Sequence, residues 1–162
     1  MNIETHRFGR ISINPDHIIT FGEGILGFED LKRYAIVLCD ATEPIQWLQA
    51  VDSPVVSLPI INPFLIKPDY ELDVDDSELQ SIGSPTVEEI LIVNAIVLPE
   101  DIRKATINLT APILINLRTK QGRQIVMEYA QENAMRYPAF TALAAYYSEQ
   151  EQKKEQADAG TD

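Results

Sequence analysis

The residues most suggestive of chemistry form the run Gly22-Glu23-Gly24-Ile25-Leu26-Gly27, a literal G-x-G-x-x-G after the apolar segment Ile18-Ile19-Thr20-Phe21. In a dinucleotide site such glycines let backbone N–H groups approach a pyrophosphate at a helix N-terminus. That chemistry needs a full crossover helix in a βαβ unit of roughly 30 residues. Phe28 to Arg33 offers barely more than one turn, and Glu23 would repel phosphate. A nucleotide or small-molecule site in loop 22–27 therefore stands as the alternative reading. The favoured one is a tight irregular loop presenting Ile25, Leu26 and Phe28, with Glu23, Ile25, Phe28 and Glu29 as partner contacts.

Other reactive side chains are sparse. The two histidines, His6 and His17, lie near the N-terminus, and no serine sits in a G-x-S-x-G context, so no nucleophile and base are brought together by sequence. One cysteine with two histidines does not make a zinc site. Cys39 lies in the apolar run Ala35 to Cys39 and reads as a small buried thiol. No catalytic residue, metal or cofactor is expected.

The second notable pattern is Asp69-Tyr70-Glu71-Leu72-Asp73-Val74-Asp75-Asp76. Alternation at period two places Asp69, Glu71, Asp73 and Asp75 on one face of a strand, with Tyr70, Leu72 and Val74 toward a core. An EF-hand beginning at Asp69 would need glycine at Val74 and glutamate at Gln80, so calcium is not indicated. Either the carboxylates discourage unwanted pairing at an edge strand, or they form a docking face for a basic protein. The docking reading takes Asp69, Tyr70, Glu71, Asp73, Asp75 and Asp76 as contacts.

The elements that must hold these residues are mostly β. Ten prolines are scattered through the chain and forbid long helices over most of it. Branched, extended segments recur at Arg7 to Asn14, His17 to Phe21, Tyr34 to Cys39, Gln46 to Val51, Val55 to Ile61, Ile90 to Leu98, Ala105 to Leu109, Ile113 to Leu117 and Arg123 to Tyr129. This spacing predicts a small antiparallel β fold, a barrel or a sandwich, as a single domain over 1–137. Hairpins are expected at Asn14-Pro15-Asp16 and at Thr119-Lys120-Gln121-Gly122, with Gly122 supplying a positive φ. Short helices are expected at Glu29 to Arg33 and Asp75 to Ile82. Phe140, Leu143, Ala144 and Tyr147 mark a C-terminal amphipathic helix over 138–150, covering an opening or edge of the barrel. The polar run after it offers nothing to bury, so 151–162 reads as a disordered tail.

Composition bounds the partners. With 25 acidic against 13 basic residues the net charge is −12, which repels phosphate backbones, so direct nucleic-acid binding is not expected. Apolar runs such as Ala35 to Cys39 fall far short of a membrane span of ~20 residues. The segment Met1 to Arg7 lacks the features of a secretory signal, which makes the cytoplasm the expected compartment.

Taken in order, the motifs carry a resemblance. They are Phe8-Gly9, Ile19-Thr20-Phe21, Gly24-Ile25, Gly27-Phe28-Glu29 and Trp47-Leu48-Gln49-Ala50-Val51-Asp52. The series continues with Pro63-Phe64, Pro68-Asp69-Tyr70, Ile96-Val97-Leu98-Pro99, Asn108 to Ile113, Ile115-Asn116, Gly122-Arg123-Gln124 and Arg136-Tyr137-Pro138. This set resembles the flagellar assembly factor FliW family. The resemblance implies a β-barrel-like fold without catalytic residues and two alternating protein partners, flagellin and the RNA-binding translational regulator CsrA. In that family the free factor antagonises CsrA repression of flagellin translation, and accumulated flagellin captures the factor. The helix and tail after Pro138 depart from the family pattern.

Overall fold

A computed structural model describes residues 1–159. Eleven strands and two α-helices make up the described chain. The strands are β1 (Asn2–Thr5), β2 (Gly9–Ser12), β3 (Ile19–Phe21), β4 (Arg33–Val37), β5 (Gln46–Ala50), β6 (Ser57–Ile61), β7 (Ile90–Val97), β8 (Thr106–Ile107), β9 (Ile113–Asn116), β10 (Gln121–Gln124) and β11 (Tyr137–Pro138). The helices are α1 (Asp76–Gln80) and α2 (Phe140–Ala159).

Seven strands close a barrel in the order β3-β4-β5-β6-β7-β9-β10, with β10 returning to β3. Every pair is antiparallel except that last seam, which is parallel and matches only Gln121 with Thr20 and Gly122 with Phe21. The mostly β, barrel-like architecture read from the sequence is what the chain adopts. Strand β7 serves two neighbours along one edge: Ile90 to Val93 pair with β9, and Ile96 and Val97 pair with β8, which in turn pairs with β11. The β1–β2 hairpin forms a sheet of its own.

Alternation along the strands sorts apolar side chains into three cores. Phe21, Tyr34, Leu48, Ile60, Val93 and Ile115 fill the barrel interior, where Phe21 and Tyr34 meet edge to face at 5.5 Å. Outside it, Trp47, Ile61, Tyr70, Ile107, Leu109 and Leu143 form a second core beneath α2. A smaller third core gathers Ile82, Leu114 and Ile125, with Leu72 and Val74 packed against it.

Several local expectations are corrected. No helix forms at Glu29 to Arg33, because Arg33 already begins β4. Asn14-Pro15-Asp16 is no hairpin: Asn14 accepts from the Asp16 N–H to cap a 3₁₀ turn at Pro15–His17, and β2 and β3 pair with other strands. The β9–β10 hairpin does form, but Lys120 adopts the positive φ, at 57°. Gly122 is required for room instead, since a Cβ there would lie 2.4 Å from the Phe21 ring at the parallel seam. The strand expected at Arg123 to Tyr129 ends at Gln124, although Ile125 and Met127 still donate to Pro112 and Thr110 carbonyls. The short strands β1 and β11 were not among the expected segments.

Helix α2 begins after Pro138, as expected, but runs to Ala159, so residues 151–159 are helical and not a disordered tail. The run from Glu149 to Glu155 is rich in Glu, Gln and Lys, strong helix formers that extend an existing helix one bond per residue without burial. Residues 160–162 of the expected tail lie outside the described residues. The buried face is also rotated: Ala139 and Leu143 enter the outer core while Ala144 and Tyr147 face outward. The helix packs beside the 3₁₀ turns Pro63–Leu65 and Ile102–Lys104, over the outer core that Ala139 and Leu143 enter.

Candidate binding surfaces

The glycine loop is built from the inside. Ile25 is 3% exposed in the barrel core, which corrects its assignment as a partner contact. Gly24 has φ +70°, and a Cβ on it would sit 2.5 Å from the Glu29 carbonyl oxygen. Ile25 and Phe28 face each other across a turn closed by the Phe28 N–H donating to the Ile25 carbonyl at 2.7 Å, with Gly27 at φ +87°. This is the placement of glycine that a type II turn requires.

Three of the loop N–H donors that a phosphate could use are already engaged. Gly24 N–H bonds the Phe21 carbonyl, Leu26 N–H the Gln124 side chain at 3.0 Å, and Gly27 N–H the Glu29 carboxylate at 3.1 Å. Those bonds from its own and the Gly27 N–H hold the Glu29 carboxyl below its usual range. Glu23 and Glu29 are exposed and Leu26 and Phe28 partly so, which leaves a small acidic and apolar rim with no open anion cradle.

The acidic segment is organised differently. Asn62 caps the 3₁₀ turn Pro63–Leu65, and Lys67 N–H and Tyr70 N–H close the following turns onto the Pro63 and Lys67 carbonyls. Tyr70, taken from sequence as a contact, is 4% exposed and belongs to the core. Its hydroxyl donates to the Leu109 carbonyl at 2.6 Å and accepts from Asn94 at 3.3 Å, and its ring meets Tyr129 edge to face at 5.2 Å. Burial pushes this phenol's pKa up.

From Tyr70 the chain runs extended to Asp75 with no strand beside it, which corrects the edge-strand assignment. The alternation holds nonetheless: Asp69, Glu71, Asp73 and Asp75 are exposed, while Leu72 and Val74 pack on the outer cores. The sheet is therefore present on only one side of this segment, as a floor. Asp75 then precedes α1, and Asp76 is exposed in its first turn.

Across from this row lies the segment Met127 to Gln131, and the two walls bound a groove of about 440 Å³. Lys67, whose side chain is only 12% exposed, donates to Asp69 at 2.7 Å and lies 5.9 Å from the Tyr129 ring. Its hydrogen bond holds the Asp69 carboxyl below the usual range. Glu71, Asp73 and, on the opposite wall, Glu128 form no ion pair among the described residues. Lys67, Glu128 and Tyr129 were not singled out by sequence, because only the fold brings 127–131 against 67–73.

The remaining reactive side chains do not gather. His6 and His17 are exposed, Cys39 is half-buried against the outer core, and among the described residues no group of His, Cys, Asp and Glu could hold a metal ion. Trp47 is core, its indole N–H donating to Thr42 at 3.0 Å and its ring covered by the Arg7 guanidinium at 3.9 Å. No helix among the described residues is long and apolar enough to cross a membrane.

Comparison with known proteins agrees with this architecture. The FliW protein family matches residues 2–139. A flagellar assembly factor FliW of Thermoanaerobacter pseudethanolicus is 36% identical over 149 residues, covering 91% of this chain and 99% of that one. One from Lachnospira eligens is 38% identical over 147 residues, covering 88% and 97%. A crystal structure of the flagellar assembly factor FliW superposes with a TM-score of 0.79 at 27% identity, over 86% of this chain and 97% of that one. The Thermoanaerobacter match is long enough to extend past Pro138, so the residues that begin α2 have counterparts in that relative. The ordered motifs, the closed barrel and these matches together place the chain in the FliW family of flagellar assembly factors.

Proposed function

We propose that this chain is a non-catalytic regulator that acts in the cytoplasm by binding two proteins in alternation, CsrA and flagellin. When free, it binds CsrA and relieves repression of flagellin translation. When flagellin accumulates, flagellin takes the chain away and CsrA represses again.

The observation that supports this reading is the groove between residues 67–73 and 127–131, where carboxylates without ion-pair partners stand on both walls. An RNA-binding regulator must carry positive charge, and an acidic surface of a chain at −12 attracts it at long range without competing for phosphate contacts. The side chains proposed for this contact are Asp69, Glu71, Asp73, Asp75 and Asp76, with Glu128 added from the opposite wall. Glu23, Phe28 and Glu29 form a second exposed rim available to either partner.

The test is a pull-down with the tagged chain from lysates of a flagellated bacterium with and without its flagellin gene. We expect CsrA in both, with more recovered when flagellin is missing, and flagellin only in the first. Recovery of neither protein would refute the reading.

A further inference from the structure

One mouth of the barrel carries a groove of about 460 Å³ that the acidic face does not touch. It opens where β3 begins late. Strand β5 pairs with β4 from Tyr34 to Val37, whereas β3 pairs with it only at Arg33 and Tyr34. The Lys32 carbonyl accepts from Phe21 of β3 and the Arg33 carbonyl from Val51 beyond β5, so successive residues of β4 face opposite neighbours. The main chain of Ile36 therefore points to the β3 side, where no strand stands opposite it.

The walls of this open edge are apolar: Ile13, Ile19, Ile36, Leu38 and Leu117 line it, with Leu38 72% exposed and Leu117 43% exposed. The ionisable side chains in the lining are both basic types, His17 and Lys120. Lys120 is held at the rim by donating to the Leu117 carbonyl. In a chain of net charge −12, an apolar groove whose only ionisable lining is basic complements a partner opposite in character to the one the acidic face suits.

We infer that this groove is a second docking site, which takes an extended apolar segment of a partner protein bearing a carboxylate at its end. The segment adds as a strand beside Ile36, places apolar side chains against Leu38 and Leu117, and sets its carboxylate by Lys120. Main-chain pairing supplies affinity in this mode, and pockets for alternate side chains supply selectivity. The inference does not depend on the acidic groove.

The test uses a fluorescein-labelled heptapeptide alternating valine and threonine, with a free C-terminal carboxylate or with that terminus amidated, titrated into the full chain and read by anisotropy. We expect saturable binding of the acid, weakened about fivefold or more by amidation, as for loss of a charge-assisted hydrogen bond. Lys120→Gln should abolish the difference between the two peptides. Leu38→Asp, at a position exposed enough to leave folding intact, should weaken both, with unchanged circular dichroism as the check. Hydrogen exchange at the Ile36 amide should slow when the peptide is bound. Equal binding of acid and amide, or binding untouched by Leu38→Asp, would overturn the inference. So would concentration-dependent dimerisation without peptide binding, which would assign the groove to a second copy of the chain.

Discussion

The glycine loop and the acidic segment look alike in sequence, each a short patterned run with charges and apolar residues interleaved, yet the fold uses them in opposite ways. In the loop, the apolar residue Ile25 drops into the barrel and the glycines exist to let the backbone close tightly behind it. In the acidic segment, apolar residues at every second position fasten an extended chain to the outer cores, and every carboxylate between them is left facing water. The first run turns backbone and carboxylate groups on itself; the second leaves its carboxylates facing solvent, with only Asp69 engaged, by Lys67. Which residues of each run are buried decides the difference, and substitutions should divide accordingly.

The largest effect is expected in the loop. Ile25→Ala removes buried methyl groups from the barrel core, where such changes typically cost about 2 to 5 kcal/mol. Urea unfolding should show the loss as a shifted midpoint with an unchanged slope. A loss under about 0.5 kcal/mol would mean that the loop is not anchored through Ile25, and the contrast would fail.

An intermediate effect is expected where the acidic segment joins the core. Tyr70→Phe keeps the ring between Phe64 and Tyr129 but deletes the hydroxyl that satisfies the Leu109 carbonyl and one Asn94 proton. Leaving a buried acceptor unpaired costs about 1 to 3 kcal/mol. Differential scanning calorimetry should show a lower Tm, while binding of a basic partner at low temperature should be unchanged. A binding loss without a Tm loss would return Tyr70 to the contact surface.

Much of this was legible in the residues themselves. Branched segments between prolines marked most of the barrel strands, because a strand buried on one or both faces must be written in such residues. The alternating carboxylates also mapped correctly, since period two survives even where no neighbouring strand pairs. What could not be read was which apolar residue of a patterned run points inward. Ile25 and Tyr70 became core through contacts with β3, β7 and the segment at Leu109, all remote in sequence. The role of Gly122 was hidden for the same reason, its constraint being the Phe21 ring and not its own φ. The opposite wall of the groove, with Glu128 and Tyr129, carried no local signal. In α2 the reverse occurred: helix propensity alone prolonged an element whose burial ends after two turns.

The smallest effect on stability, and the sharpest on binding, should come from Asp69→Asn, Glu71→Gln and Asp73→Asn combined. These side chains are exposed, so neutralising them should leave the unfolding midpoint close to that of the wild type. Asp69 alone has a partner, and its pair with Lys67 is open to solvent on the carboxylate side, which keeps its contribution small. Association with a basic partner should nevertheless slow several-fold at low ionic strength, and the deficit should shrink as salt is raised, because steering is screened beyond a Debye length of roughly 10 Å at 0.1 M. Stopped-flow association rates across a salt series measure this directly. Lys67 holds the Asp69 carboxyl below its usual range, so this carboxylate keeps its charge to a lower pH than an unpaired one would. Equal rates for wild type and triple variant at low salt would show that the free carboxylates do not steer a partner, and the acidic segment would then be as inward-looking as the glycine loop.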